Sequence, residues 1–219
     1  MQDSSQVSKN RMVLLLIAGL PVTMILGATW LWYFVVHGDL DLVGALGTAN
    51  RGTLIQPPRQ LDDYPLVDQR GRPFLYRDME PKWALLVASA GVECDSACEE
   101  KLYLTRQIHV ALGKEFNRVR RIYISDSPVG DTDLAVAALS DEHPLPADFN
   151  SYLASEHRGL RALQTGPGEL AALFPESRAD PGSWYLVDPA GWVMMTYNAD
   201  ISYKEVIADL KFLLKNSGG

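Results

Sequence analysis

The chain contains two cysteines, Cys94 and Cys98, and both lie in the stretch GVECDSACEEK, Gly91 to Lys101. Residues four apart on a helix share a face, with β-carbons about 5–6 Å apart. A disulfide needs about 3.5–4.5 Å between those atoms. The pair can therefore close only if Cys94 stands at or before the first helical turn, and Gly91 and Val92 leave room for a loop there. Two reduced thiolates at this spacing can instead hold a soft ion such as Cu(I). They make a poor zinc site, which takes four ligands. A helix N-terminus lowers a thiol's pKa, but Glu93, Asp95, Glu99 and Glu100 are like charges for a thiolate and push it back up. A bound cation reverses the sign of that effect. The pattern favours cation holding or a mild redox role over a low-pKa nucleophile. The acids also have a plainer reading, as solvated groups that complement the helix dipole. The cysteines have one too, as an inert buried pair.

Which chemistry applies depends on the compartment. Met12–Val36, MVLLLIAGLPVTMILGATWLWYFVV, carries no charged residue over 25 positions. About 20 apolar residues span a bilayer as a helix, and Pro21 can be accommodated as a kink. Trp30, Trp32 and Tyr33 lie near its end, as an interfacial aromatic belt would. A cleaved signal peptide is the rival reading, with Gly27-Ala28-Thr29 as its small-residue end, but the apolar run continues to Val36. Lys9 and Arg11 precede the segment, while Asp39 and Asp41 follow it. By the positive-inside rule this predicts a cytoplasmic tail over 1–11, one transmembrane helix over 12–36, a tether over 37–60 and an external domain over 61–219. In a bacterium that places a single-pass protein in the inner membrane with its body in the periplasm. The periplasm is oxidising, so two neighbouring cysteines become redox candidates there.

The net charge is −7 with 21% charged residues, an ordinary globular composition. An acidic body argues against nucleic acid as a partner. The tether is predicted from scattered glycines and from Pro57-Pro58. Beyond it the elements alternate. Phe74–Asp78 reads as a weak strand, and Trp83–Ala90 as a strand buried on both faces. Cys94–Phe116 reads as a helix with a break near Gly113, and Val119–Ser125 as a strand. DTDLAVAALS and Asp148–Arg158 read as helices, LRALQTG as a strand and Gly168–Phe174 as a short helix. WYLVD and WVMMTYN form a hairpin around Pro189-Ala190-Gly191. Tyr203–Lys215 closes the chain as an amphipathic helix with Val206, Ile207, Leu210, Leu213 and Leu214 inward. This order predicts an α/β thioredoxin-like mixed sheet flanked by helices, with the cysteines where the first core strand gives way to its helix.

The anchor, WALLVASAGVECDSAC, ALGKEFNRVRRIYISDS and WYLVDPAGWV together resemble the Sco family of cytochrome c oxidase assembly proteins, also called SenC-like. The resemblance covers most of Trp83 to Gly219, at low identity. NRGTLIQPPRQL is also similar to the tether of Sco-like proteobacterial membrane proteins. The resemblance implies a membrane-anchored thioredoxin fold that delivers copper to the oxidase's copper site or reduces its thiols. It implies Cys94 and Cys98 as Cu(I) ligands and redox pair, and oxidase subunits or a periplasmic copper chaperone as partners. The family also uses a histidine eight residues before the aspartate of the YLVDP-type motif. Counting back from Asp188 reaches Asp180, a harder ligand that suits Cu(I) less well.

The other residues of interest have plainer readings. Of the histidines, His37 lies at the membrane edge, His109 on the cysteine helix, and His143 and His157 read as surface residues. Met194 and Met195 point to opposite faces of a strand and read as core packing. Pro181 stands near the place where thioredoxin folds carry a cis-proline, but Gly182 and Ser183 intervene. Three functional readings follow: a Sco-like assembly factor, a metal-free thiol–disulfide oxidoreductase, and a thioredoxin-fold adaptor bound to an oxidase with vestigial cysteines.

Overall fold

The two apolar runs predicted as buried strands form the centre of the molecule. Trp83–Ser89 (β4) and Val119–Ser125 (β6) pair in parallel, in register from Trp83 opposite Val119 to Ser89 opposite Ser125. All seven residues of β4 are buried, because helices and loops cover both faces of the sheet. The computed structural model describes residues 3–36 and 50–216, with side chains described for 15–30, 32, 33 and 50–216. The chain divides into two compact units, Met1–Ala49 and Asn50–Gly219.

In the first unit, Asp3–Val36 forms one helix (α1) that runs through Pro21. Its described apolar side chains, among them Leu15, Leu16, Ile17, Met24, Ile25 and Leu26, are exposed. The expected span Met12–Val36 lies within this helix, although the side chains of 12–14, 31 and 34–36 are outside the described residues. Among the described residues, no helix is long and apolar enough to cross a membrane. His37 and most of the expected tether also lie outside the described residues.

The second unit is an eight-stranded mixed sheet. Its remaining strands are Thr53–Gln60 (β1), Leu66–Asp68 (β2), Pro73–Phe74 (β3), Arg161–Gln164 (β8), Trp184–Val187 (β9) and Trp192–Tyr197 (β10). The order is β1-β10-β9-β4-β6-β8-β2-β3, and a second, two-stranded sheet joins Glu93–Cys94 (β5) to Asp133–Leu134 (β7). One face carries Ser96–Ala111 (α2), Phe149–Glu156 (α3) and Tyr203–Asn216 (α6) over Leu85, Val87, Tyr123, Trp184 and Leu186. The other face carries Pro167–Leu173 (α4) over Ala84, Leu86, Ile122 and Ile124. A short helix, Glu176–Ala179 (α5), leads into β9.

Four expectations are corrected. The expected tether ends as β1, so the domain begins near Asn50 and not at residue 61. β1 is an edge strand, and its register shifts between Leu54 and Arg59, so Pro57 and Pro58 interrupt no central ladder. The stretch Phe74–Asp78 is strand only at Phe74; Tyr76–Asp78 is a 3-10 turn. The helix expected over Cys94–Phe116 is shorter, Ser96–Ala111, and Gly113 beyond it takes φ +59°, the left-handed position that favours glycine after a helix end. DTDLAVAALS holds no α-helix; Asp131 ends a 3-10 turn, and Asp133 and Leu134 pair with β5.

Within β10, Val193 pairs with Val187 but Met195 with Leu186, so one extra residue is accommodated between them. This bulge sends Val193 and Met195 to opposite cores, although they are two apart. Met194 is part-buried against the core that holds Met195.

Candidate functional site

Cys94 and Cys98 form a disulfide, with Cα atoms 5.1 Å apart. Cys94 meets the geometric condition set by the spacing. It lies in β5, before α2, and its carbonyl accepts the Ala135 N–H at 2.9 Å. Asp133 N–H donates to Val92 O at 2.8 Å, so the 133–135 segment straps the cysteine loop in extended form. Asp95 is the N-cap of α2, and its carboxylate accepts the Cys98 N–H at 3.0 Å. Cys94 is 0% and Cys98 3% exposed, while Gly91, Val92, Glu93, Asp95 and Ser96 around them are exposed. The bond therefore sits just under an accessible rim.

The acids divide by role. Glu93 and Glu100 are exposed, as the plain reading expects. Asp95 is committed to the cap. Glu99 is buried and accepts from Ser140 N at 3.1 Å, Ser140 Oγ at 2.5 Å and Tyr152 OH at 3.2 Å. Burial and the Glu99 charge push the Tyr152 hydroxyl pKa up.

Lys101, three residues beyond Cys98, is buried and donates to Ala88 O at 3.2 Å, at the end of β4. Burial pulls its pKa down to about 8, against the charges of Asp95 and Asp180. No role was predicted for Lys101. The signal was its spacing, since it shares the buried helical stripe of Cys98, Leu102, Thr105 and Ile108. Asp180 is half-buried; its carboxylate accepts the Gly182 N–H at 2.9 Å and its charge reaches Lys101. The position where the family resemblance asks for a histidine thus holds a carboxylate whose charge acts on the Lys101 ammonium.

Among the described residues, no histidine approaches the sulfurs as a ligand. His109 Nε2 lies 2.9 Å from Val119 O and 3.0 Å from Phe116 O, and its ring stacks on Phe116. His143 is exposed beside Glu156 and Asp141. His157 corrects the surface expectation: it is 1% exposed, with Nδ1 accepting from Arg121 at 3.0 Å. Its partner lies on a strand distant in sequence, which local pattern does not reveal. Among the described residues one cluster of three possible ligands occurs, Asp141, His143 and Glu156; it excludes the cysteines, and Arg106 already bridges both of its carboxylates. Pro181 is not cis; among the described residues the cis bond is Gln56–Pro57.

The Cys94–Cys98 pair at the turn from a central parallel strand into its helix, on a mixed sheet, defines a thioredoxin-like protein. Residues 83–142 and 131–217 match the family described as transmembrane-like, thioredoxin-like, C-terminal domain, and the chain belongs to that family. The fold is Sco-like. Yeast Sco1 with copper bound is similar at 17% identity and a TM-score of 0.53, over 78% of this chain and 97% of that one. The apo Sco1 protein from Thermus thermophilus is similar at 20% identity and a TM-score of 0.51, over 76% and 99%. At these identities the likeness establishes the fold. No curated protein matches the sequence.

Proposed function

We propose that this chain is a membrane-anchored, Sco-like factor for cytochrome c oxidase assembly that acts by dithiol–disulfide exchange at Cys94 and Cys98. The observation that carries the reading is the closed Cys94–Cys98 bond at the strand-to-helix corner, with Cys94 held outside the helix. In the reducing direction, one thiolate of the open pair attacks a disulfide on the partner and forms a mixed disulfide. The second sulfur then displaces the partner sulfur. Two electrons pass to the partner, which leaves as a dithiol with two protons, and the Cys94–Cys98 bond closes. A dithiol donor protein reopens the pair by the same exchange in reverse.

Copper enters this reading as cargo destined for the partner's site. With the disulfide open, the donor set gives Cu(I) two thiolates and, among the described residues, no soft third ligand, which favours passing the ion on over resident holding. Asp180 is a hard ligand engaged with the Gly182 backbone N–H.

Anchoring by Met12–Val36 is supported by its 25 uncharged positions and by the exposed apolar side chains of α1. Lys9 and Arg11 before it, with Asp39 and Asp41 after it, support an inner-membrane protein whose tail is cytoplasmic and whose body is periplasmic.

The test is to equilibrate the full chain with mixtures of oxidised and reduced dithiothreitol and count alkylated thiols by mass. A single two-electron transition between the closed and open pair is expected. A pair that stays reduced at every ratio would sink the reading. So would full oxidase activity in a deletion strain carrying Cys94→Ser with Cys98→Ser, an outcome that leaves an adaptor with vestigial cysteines. Titration of the reduced chain with Cu(I) against a chelator is expected to show only weak uptake. Tight, thiol-dependent binding would restore copper holding.

A further inference from the structure

β4, β6 and β8 are parallel, so they begin at one end of the sheet, and the cysteine loop follows the other end of β4. At the starting end lies a cleft of about 740 Å³ lined by Lys82, His109, Arg120, Arg121, Arg158 and Arg161, with Asp78 and Glu80 as its only acids. Glu80 is already paired with Lys82 at 2.8 Å. In a chain of net charge −7, this is a local excess of cations.

The buried arginine carries the argument. Arg121 is 5% exposed, and a buried guanidinium is ordinarily matched by a carboxylate. Its hydrogen bonds go to neutral groups, His157 Nδ1 at 3.0 Å and Arg158 O at 3.4 Å. Burial pulls its pKa down to about 10. Arg120, from the opposite face of β6, rounds the strand's end into the same cleft; it contacts Met79 Sδ and Glu80 O, while its Nε is buried without a partner. Arg158 and Arg161 are exposed, and neither has a carboxylate within 4.0 Å among the described residues. Arg161 lies over the Phe74 ring, 5.6 Å from its centroid, which restrains it at the rim.

We infer that this cleft binds a phosphate-bearing anion, with Arg121 at its buried side and Arg158 and Arg161 closing on the ligand from the rim. Guanidinium forks match phosphate oxygens two at a time, and a compact anion can meet several of them at once. An acidic protein segment would present its carboxylates singly, and a nucleic acid would extend past the cleft onto a chain whose net charge is −7. The inference is independent of the cysteine chemistry. The same headgroup chemistry occurs in soluble phosphate esters and in anionic phospholipids, and the test separates them.

The full chain, in non-ionic detergent at constant ionic strength, is titrated calorimetrically with inorganic phosphate and with glycerol 3-phosphate. Saturable one-to-one binding is expected, and Arg158→Gln combined with Arg161→Gln is expected to weaken it at least tenfold with an unchanged circular dichroism spectrum. The full chain is then placed in phosphatidylcholine vesicles with and without phosphatidylglycerol, and amide exchange is followed. Extra protection at residues 119–122 and 156–161 that requires phosphatidylglycerol, and is lost in the double variant, assigns a lipid headgroup. Binding of glycerol 3-phosphate with no such protection assigns a soluble phosphate ester. Absence of binding to both soluble probes together with no protection overturns the inference. Unchanged binding in the double variant, or binding of polyglutamate peptide alone, overturns it as well.

Discussion

The carboxylate of Asp209, in the last helix, accepts the backbone N–H of Arg51 at 2.7 Å, across 158 residues of sequence. The same oxygen accepts Gly52 N–H at 3.3 Å and Tyr197 OH at 3.2 Å, and Asp209 is 5% exposed. Burial and this charge push the Tyr197 hydroxyl up. Asp209 thereby pins the start of β1 beside β10. Asp209→Ala leaves two backbone donors and a hydroxyl without their acceptor, and is expected to destabilise the domain by about 3 kcal/mol. Urea unfolding followed by tryptophan fluorescence measures it, and a loss under about 1 kcal/mol would mean that water replaces the carboxylate cheaply.

Gly52 tests the same junction by volume. A β-carbon there would stand 2.6 Å from Met195 Sδ and 2.7 Å from the Tyr197 ring. Tyr197 is itself stacked on Trp184 at 4.7 Å, so the ring has little freedom to yield. Gly52→Val is expected to cost about 1–3 kcal/mol by overpacking. A melting temperature equal to that of the parent chain would show that β1 is loosely held.

This junction also shows where sequence pattern stops informing. Trp83–Ser89 and Val119–Ser125 were legible because a strand covered on both faces must be apolar throughout. The cysteine corner was legible for a related reason: a disulfide at this spacing requires Cys94 outside the helix. β1 was not legible, since two prolines read as a break and only its edge position, a tertiary fact, admits them. Asp133–Leu134 gains its strand character from Glu93–Cys94, a partner far off in sequence. The basic cleft draws Arg120, Arg158 and Arg161 from separate elements, and no single window of sequence holds its excess charge.

Asp95 links stability to the cysteine pair. As N-cap it satisfies the Cys98 N–H, so Asp95→Ala is expected to cost about 1 kcal/mol, and Asp95→Asn very little. Cys98 lies in the turn that the cap organises. The alanine variant is therefore expected to show faster amide exchange at residues 96–99 than the asparagine variant. Equal exchange in the two would show that the disulfide alone orders this turn.

The buried histidines set the acid sensitivity of the fold. Burial, then the charges of Arg121 and Arg106, hold His157 down to about 3, from an ordinary value of 6.5. Burial likewise lowers His109. A lowered folded-state value means that the unfolded chain takes up the proton first. The contribution of neutral His157 is thus fully present above about pH 6.5, and is lost as pH falls from there toward about 3. Each such group steepens the decline by up to about 1.4 kcal/mol per pH unit within that window. Two-state urea unfolding at pH 7, 6, 5 and 4 should therefore show a falling stability. His157→Gln, which cannot be protonated and still offers Arg121 an acceptor, is expected to flatten the fall. If the variant loses stability with pH as steeply as the parent chain, His157 is protonated equally in both states, and its contact with Arg121 does not govern the acid response.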